Sequence, residues 1–394
     1  MSAGLGHSVR RVEDRRFLTG RGRYTADIDL PGQAHAVLLR SPHAAASIEG
    51  IDKSAAQALP GVIAILTGDD LLDDGIGDLP CLAQLTRRGG DPMFKPPHPA
   101  LARCAVHHVG AGVAMVVAES AAAAQDAAEA VEVAYTPKPA VACLADIGPG
   151  APAVWADCPD NLCFEFEAGD VDAVERAFAA AAHVTALDFS VSRVTPAPLE
   201  PRAAIGVWDD VDGRFTLYSG CQNPHSLRRV LATRCLGIAE TGLRVVSPDL
   251  GGGFGMRSDA YAELVLVLWA ARKLGRPIKW TGTRSEAFVA DNQARDNLTT
   301  VELALDRDGM FLALRVKTKA SLGAYLSLGG PTPTIMNVGG LAGVYTTPAI
   351  HVAVTGYFTN TPSTAPYRGA GRPEASYAIE RVIDTAAREL GIDR

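Results

Sequence analysis

The chain has 394 residues, 47% of them apolar and 21% charged, which excludes a disordered polymer and provides core for two or three domains. The formal net charge is −7 with no basic block, which argues against nucleic acid or an anionic membrane as partner. The start carries no apolar stretch of signal-peptide length. The longest apolar run, residues 264–271, is far too short for a bilayer, so the sequence predicts a soluble cytoplasmic protein without a membrane span.

In chain order, residues 33–40 read as a strand broken by Ser41 and Pro42. A short helix over 54–59, capped by Ser54, stops at Pro60 and Gly61. Residues 62–66 read as a buried strand, and 71–99, rich in Gly, Pro and Asp, as a surface loop. A strand over 113–117, an alanine-rich helix over 120–130 and a strand over 131–135 complete an N-terminal unit. The Pro/Gly stretch 147–152 reads as a linker, which divides the chain into 1–145 and 146–394.

The second unit opens with a helix from Gly169 through Ala182. Strands follow over 184–191, 203–208 and 215–220. A helix then runs from Pro224 to Gly237, and a strand over 243–247 leads into a glycine loop. A helix over 260–274 stops at Gly275. Strands over 278–282, 299–305 and 311–320 follow, the last two joined by a hairpin turn at 306–309, and a helix over 373–390 ends the chain. The expected class is α+β with mixed sheets. With only 6% aromatic residues, the interior should be small side chains packed close to backbone.

Three loops carry candidate chemistry. Residues 251–255 (GGGFG) follow a strand and precede a helix. Gly there lets backbone amides approach a ligand, so the loop is either a cofactor or anion cradle or a tight structural turn. It lacks both the G-x-G-x-x-G pattern and a following GK[ST], so nucleotide binding is not supported. In residues 221–225 (CQNPH), Asn223 or Ser226 can cap a helix, or Gln222 can donate its amide to a ligand oxygen. In residues 364–374, Arg368 sits among small residues and can serve an oxyanion, while Arg372 and Glu374 suit a helix start and a salt bridge. The seven cysteines form no C-x-x-C pair and the histidines show no metal spacing.

Taken as an ordered set, several segments resemble the large subunits of the xanthine dehydrogenase, aldehyde oxidase and CO dehydrogenase family. They are residues 6–14 (GHSVRRVED), 17–20 (FLTG), 24–27 (YTAD), 39–43 (LRSPH), 59–62 (LPGV), 66–69 (LTGD) and 113–119 (VAMVVAE). Residues 199–202 (LEPR), 251–255, 280–286 (WTGTRSE) and 367–372 (YRGAGR) continue the order. The resemblance implies an α/β-hammerhead domain over 1–145 and a first molybdopterin-binding domain over 146–394. It implies a molybdenum–molybdopterin cytosine dinucleotide, with molybdenum held by the pterin and not by protein side chains. The implied reaction is hydroxylation of an aldehyde or aromatic N-heterocycle with water as oxygen source. Electrons would pass to [2Fe-2S] and FAD centres on partner subunits.

By the same resemblance, Gln222 is similar to the glutamine that bonds an oxo ligand, and Gly252, Gly253, Phe254 and Gly255 to the loop against the metal group. Arg368 and Gly369 match the second active-site loop, and Ser258 and Ala370 line the substrate pocket. CO dehydrogenases carry a copper-holding cysteine after the loop arginine; here it is Gly369, which argues against CO oxidation. Purine-oxidising relatives carry a carboxylate where Ser258 stands and an aromatic ring where Ala370 stands. The general-base glutamate of the family belongs to a later segment. Glu200, Glu263 and Glu374 are therefore read as structural, and the base is expected from a C-terminal molybdopterin-binding chain. A truncated, non-catalytic half is the alternative expectation.

Overall fold

The computed structural model describes residues 4–336 and 338–394. The first third contains the strands β1 (Ala34–Arg40), β2 (Ala46–Asp52), β3 (Val62–Thr67), β4 (Ala105–Val106), β5 (Gly112–Ala118) and β6 (Glu132–Pro137). Its helices are α1 (Asp14–Leu18), α2 (Ser54–Gln57), α3 (Gly68–Asp73) and α4 (Ala121–Glu129). The remainder contains β7 (Leu162–Gly169), β8 (His183–Val191), β9 (Ala203–Asp209), β10 (Arg214–Tyr218), β11 (Leu243–Val246), β12 (Ile278–Thr281), β13 (Asn297–Leu305), β14 (Phe311–Gly323) and β15 (Ala349–Phe358). Its helices are α5 (Val171–Ala180), α6 (Pro224–Val230), α7 (Ala262–Leu274), α8 (Arg284–Ala290), α9 (Thr332–Met336) and α10 (Arg372–Leu390).

Three sheets result: β11-β10-β9-β12-β1-β5-β3, β7-β15-β14-β13-β8 and the small β4-β2-β6. The class is mixed α+β, as the residue pattern predicts. The largest sheet draws strands from both ends of the sequence, because β1 pairs in parallel with β12, Ala34 opposite Ile278. β5 is apolar throughout because it is buried between two neighbours, without the alternation of a half-exposed strand. α7 covers this sheet, and every residue from Glu263 to Ala271 is buried, so the helix is apolar on all sides. α10 buries Ala375, Ala378, Ile379, Val382 and Ala386 against the second sheet. No helix among the described residues is long and apolar enough to cross a membrane.

Several local expectations change. Asp52, not Ser54, fastens the start of α2, accepting from the Ser54 N–H at 2.9 Å. α6 ends at Val230 and continues as a π turn over Leu231–Cys235, earlier than the predicted helix end. Segment 71–99 is not a free surface loop. It buries Leu71, Leu79 and Met93, and it donates from Leu82 N to the Leu328 carbonyl and from Phe94 N to the Cys163 carbonyl. The interior is alanine-rich, yet it also holds large rings: Trp269, Trp280, Phe164, Phe215 and Phe358 are fully buried.

A buried ionic cluster joins the sheet to α7 and α8. Arg202 donates to Glu263 at 2.6 Å and to Asp291 at 2.6 Å, and Arg40 donates to Glu263 and Glu286 at 2.6 Å each. The Arg202 guanidinium lies 3.7 Å from the Tyr261 ring centroid and 5.1 Å from that of Trp280. Burial alone would raise the Glu263 carboxyl. The attraction of Arg202 and Arg40 overrides it and holds the group down at about 2. Arg40, Arg202 and Glu286 belong to the family-like segments, and their work is to fix the scaffold.

Candidate active-site face

β10 and β11 run parallel, Phe215 opposite Leu243. The segments leaving their C-terminal ends therefore emerge side by side, which is where open α/β sheets place ligands. One segment carries Gln222 and the other the glycine loop. Ser247 ties their starts together, its hydroxyl accepting from Cys221 N and donating to the Cys221 carbonyl, both at 3.1 Å. Asn223 caps α6, accepting from Ser226 N at 3.2 Å. The capping role thus belongs to Asn223, and Gln222 is released for another task.

The Gln222 Oε1 accepts from Gly255 N at 2.8 Å, and the Gln222 backbone N–H donates to the Arg257 carbonyl at 3.0 Å. Since a backbone N–H must face the oxygen, this bond fixes which end of the amide points outward. The Gln222 NH2 group is left to donate. Gly253 is required here, because an added Cβ would stand 2.5 Å from Gln222 Cδ. Gly255 is required twice: its φ is +99°, and a Cβ would stand 2.3 Å from the Pro366 carbonyl oxygen.

The loop is held from below by Glu200. Its Oε2 accepts from Gly251 N at 2.6 Å, and Arg257 stands 3.3 Å away. Burial raises the Glu200 carboxyl against the opposing pull of Arg257 and the Gly251 N–H. Arg257 is itself buried and braces the Glu200 and Pro201 carbonyls. Phe254 is held at φ +54°, a left-handed conformation unusual for a side chain-bearing residue, and is 42% exposed. Its ring folds over Gly252 toward Pro198.

The third segment meets the glycine loop directly: Arg368 N donates to the Phe254 carbonyl at 2.9 Å. Gly369, Ala370 and Gly371 all have positive φ, which turns the chain sharply into α10. Arg372 opens that helix. The Arg368 side chain is exposed and engages no described residue. The structure thus brings together Gln222, Gly252, Gly253, Phe254, Gly255, Arg368 and Gly369. Ser258 lies beside them in an open recess of about 330 Å³ with Gly255, Pro366, Leu328, Leu82 and Ala83, floored by buried Asp259. Ala370 stays on its loop, outside that recess.

Sequence reasoning misses two residues. Arg295 donates to the Arg368 carbonyl at 2.9 Å and to Glu374 at 2.8 Å, and stacks 5.1 Å from the Tyr367 ring centroid. It supplies the partner expected for Glu374. Its only signal in sequence is that unpaired carboxylate, 79 residues away. Asp259 accepts from Leu328 N at 2.8 Å and Asn292 Nδ2 at 2.7 Å, and so joins three segments under the recess. Glu263 and Glu374 are paired structural carboxylates, and Glu200 is a brace.

The groups left to donate are the neutral Gln222 amide NH2 and the exposed Arg368 guanidinium. This set is donor-rich, which suits an oxo- or phosphate-bearing ligand. Among the described residues no group of three His, Cys, Asp or Glu side chains converges to hold a metal.

Residues 19–139 match the family described as the aldehyde oxidase and xanthine dehydrogenase a/b hammerhead domain, and residues 154–394 the molybdopterin cofactor-binding domain. The chain is 38% identical over 99% of its length to the carbon monoxide dehydrogenase large chain of Afipia carboxidovorans, covering 49% of that protein. It is 34% identical over 98% of its length to the nicotine 6-hydroxylase large subunit of Paenarthrobacter nicotinovorans, covering 47% of it. The crystal structure of quinoline 2-oxidoreductase from Pseudomonas putida 86 superposes with a TM-score of 0.89 at 35% identity, over 98% of this chain and 49% of that one. The chain thus spans about half the length of these relatives. By contrast, it covers 87% of the nicotinate dehydrogenase large molybdopterin subunit of Eubacterium barkeri, at 27% identity. The chain belongs to the xanthine dehydrogenase, aldehyde oxidase and CO dehydrogenase family of molybdopterin-binding large subunits, and corresponds to roughly the N-terminal half of such a subunit.

Proposed function

We propose that the chain forms one wall of the site of a molybdenum hydroxylase that oxidises an aldehyde or aromatic N-heterocycle with water as oxygen source. The observation that carries this is the Gly255–Gln222 hydrogen bond, which leaves the Gln222 NH2 free to donate on the same glycine loop that Arg368 N meets. The group implied is the molybdenum–molybdopterin cytosine dinucleotide, which supplies two-electron oxidation and oxygen transfer from water when bound. Gln222 and Arg368 would donate to its oxygens, and Gly252, Gly253, Phe254, Gly255 and Gly369 would let backbone approach it. Fixed donors there stabilise oxygen that gains negative charge on reduction, without reorganisation.

The domain division at residues 145/146, the substrate wall at Ser258 and Ala370, and the [2Fe-2S] and FAD partner subunits are part of the same proposal. So is a second molybdopterin-binding segment carrying the catalytic glutamate, since the carboxylates near the loops are spent on Gly251, Arg202 and Arg295. The test is co-purification with products of adjoining genes, followed by molybdenum and pterin assay and dye reduction with aldehydes and N-heterocycles. An assembled complex without molybdenum or pterin sinks the proposal and leaves the non-catalytic half.

Similarity to CO dehydrogenase large chains favours CO as a second reading. Gly369 weighs against it: its φ is +96°, and any Cβ there would stand 2.5 Å from Pro373 Cδ, so the position supplies no thiolate for copper. CO-dependent dye reduction by the complex would reverse that judgement.

A further inference from the structure

A second cavity, of about 420 Å³, shares no residue with the three loops. Its walls are mostly apolar, including Leu71, Ile76 and Pro99, and one side is aromatic. The His107 ring stacks on Trp155 at 3.8 Å between centroids, and Trp155 meets Tyr325 edge-on at 5.3 Å. The Trp155 indole N–H is fixed on the Ala324 carbonyl at 2.7 Å, so the wall is rigid. Tyr325 is only 5% exposed and lines this cavity.

The charges on the wall do not cancel. Arg103 is engaged by Asp69 at 3.0 Å. Burial keeps His107 neutral near pH 7 by lowering its pKa. Asp78 is an exposed residue at the cavity edge and makes no ion pair among the described residues; partial burial raises its carboxyl and only the His98 N–H opposes that. The same carboxylate adds to the effect of burial in raising the Tyr325 phenol. A rigid aromatic wall carrying the Tyr325 phenol therefore lines one mostly apolar space, with the exposed Asp78 carboxylate at its edge. A volume of this size takes one or two fused rings.

We propose that this cavity binds a planar aromatic cation, with Asp78 as counter-charge, Tyr325 as second polar contact and the Trp155–Tyr325 wall as the stacking and cation–π surface. The site is separate from the glycine-loop face, and binding there does not depend on molybdenum.

The test is calorimetric titration of the full chain with 1-methylquinolinium and with naphthalene-2-sulfonate, matched in shape and opposite in charge. The cation should bind and the sulfonate should not. Asp78→Asn should weaken the cation at least about tenfold, and Tyr325→Phe about threefold, because a charged contact outweighs a neutral one. Circular dichroism verifies the fold of each variant, and the two probes decide the matter on the parent chain should a variant fail to fold. Equal binding of both probes, absence of cation binding at millimolar concentration, or unchanged affinity in folded Asp78→Asn overturns the proposal.

Discussion

Replacing Arg295 by methionine isolates what holds the Arg368 loop. The change keeps most of the side-chain volume and removes three interactions: the 2.8 Å pair with Glu374, the 2.9 Å bond to the Arg368 carbonyl, and the stack on Tyr367. Side-chain exposures of 12% for Arg295 and 7% for Glu374 place the pair well inside, so the main effect is a carboxylate stranded without its cation. Breaking such a pair costs about 3–5 kcal/mol, and the lost carbonyl bond adds about 1 kcal/mol. Against a total stability of roughly 5–15 kcal/mol, Arg295→Met should lower the urea midpoint severely. Adding Glu374→Gln removes the stranded charge, and the double variant should recover to within about 2 kcal/mol of the parent. Urea unfolding of the four chains measures this directly. A single-variant loss below about 1 kcal/mol, or a second substitution that merely adds to the first, would refute the assignment of Arg295 as the brace of this loop.

Gln222→Glu preserves the oxygen that accepts from Gly255 and deletes the outward donor. Unfolding free energy should stay within about 0.5 kcal/mol, while the molybdenum complex loses turnover. Gly255→Ala forces a Cβ to 2.3 Å from the Pro366 oxygen at φ +99°, and should cost at least about 1–2 kcal/mol in thermal or urea unfolding. His98 and His108 are half-buried, and desolvation lowers their pKa values from 6.5 to about 3 and about 4. Below pH 6.5 the unfolded chain takes up protons that the folded chain refuses, so stability falls with pH from there toward 4. The slope approaches about 1.4 kcal/mol per pH unit for each histidine, and a flat profile between pH 7 and 5 would contradict it. Glu263 acts lower: its pKa is held down at about 2, so its contribution is complete above the normal 4.5 and vanishes as pH falls through 2. Glu263→Gln should flatten that acid limb.

The legible parts of the fold are those with one dominant local signal. β5 reads plainly because an apolar run is what a strand buried on both sides requires. α10 declares itself through Pro373 at its start and Gly391 at its end. β2 escapes because ASIEGID lies on the small sheet and leaves most residues partly or fully exposed. β15 escapes because His351, Thr355 and Gly356 interrupt its apolar pattern, and its support is lateral, from parallel β14. The site divides in the same way. Each loop announces itself by composition, but their convergence depends on β10 and β11 running parallel, which no local pattern encodes. Arg295 and Asp259 act entirely through residues distant in sequence.

The parallel pairing of β1 with β12 constrains how the protein can be made. β1 leaves the ribosome early, but its partner begins at Ile278, some 240 residues later. At roughly 5–20 residues per second, that delay is roughly 10–50 s during which one edge of β1 waits unpaired. Such an edge attracts other strands, so nascent chains should depend on chaperone cover until the register at Ala34–Ile278 closes. Ribosome-stalled chains should remain protease-sensitive near β1 until residue 281 has cleared the exit tunnel, and should become resistant only then.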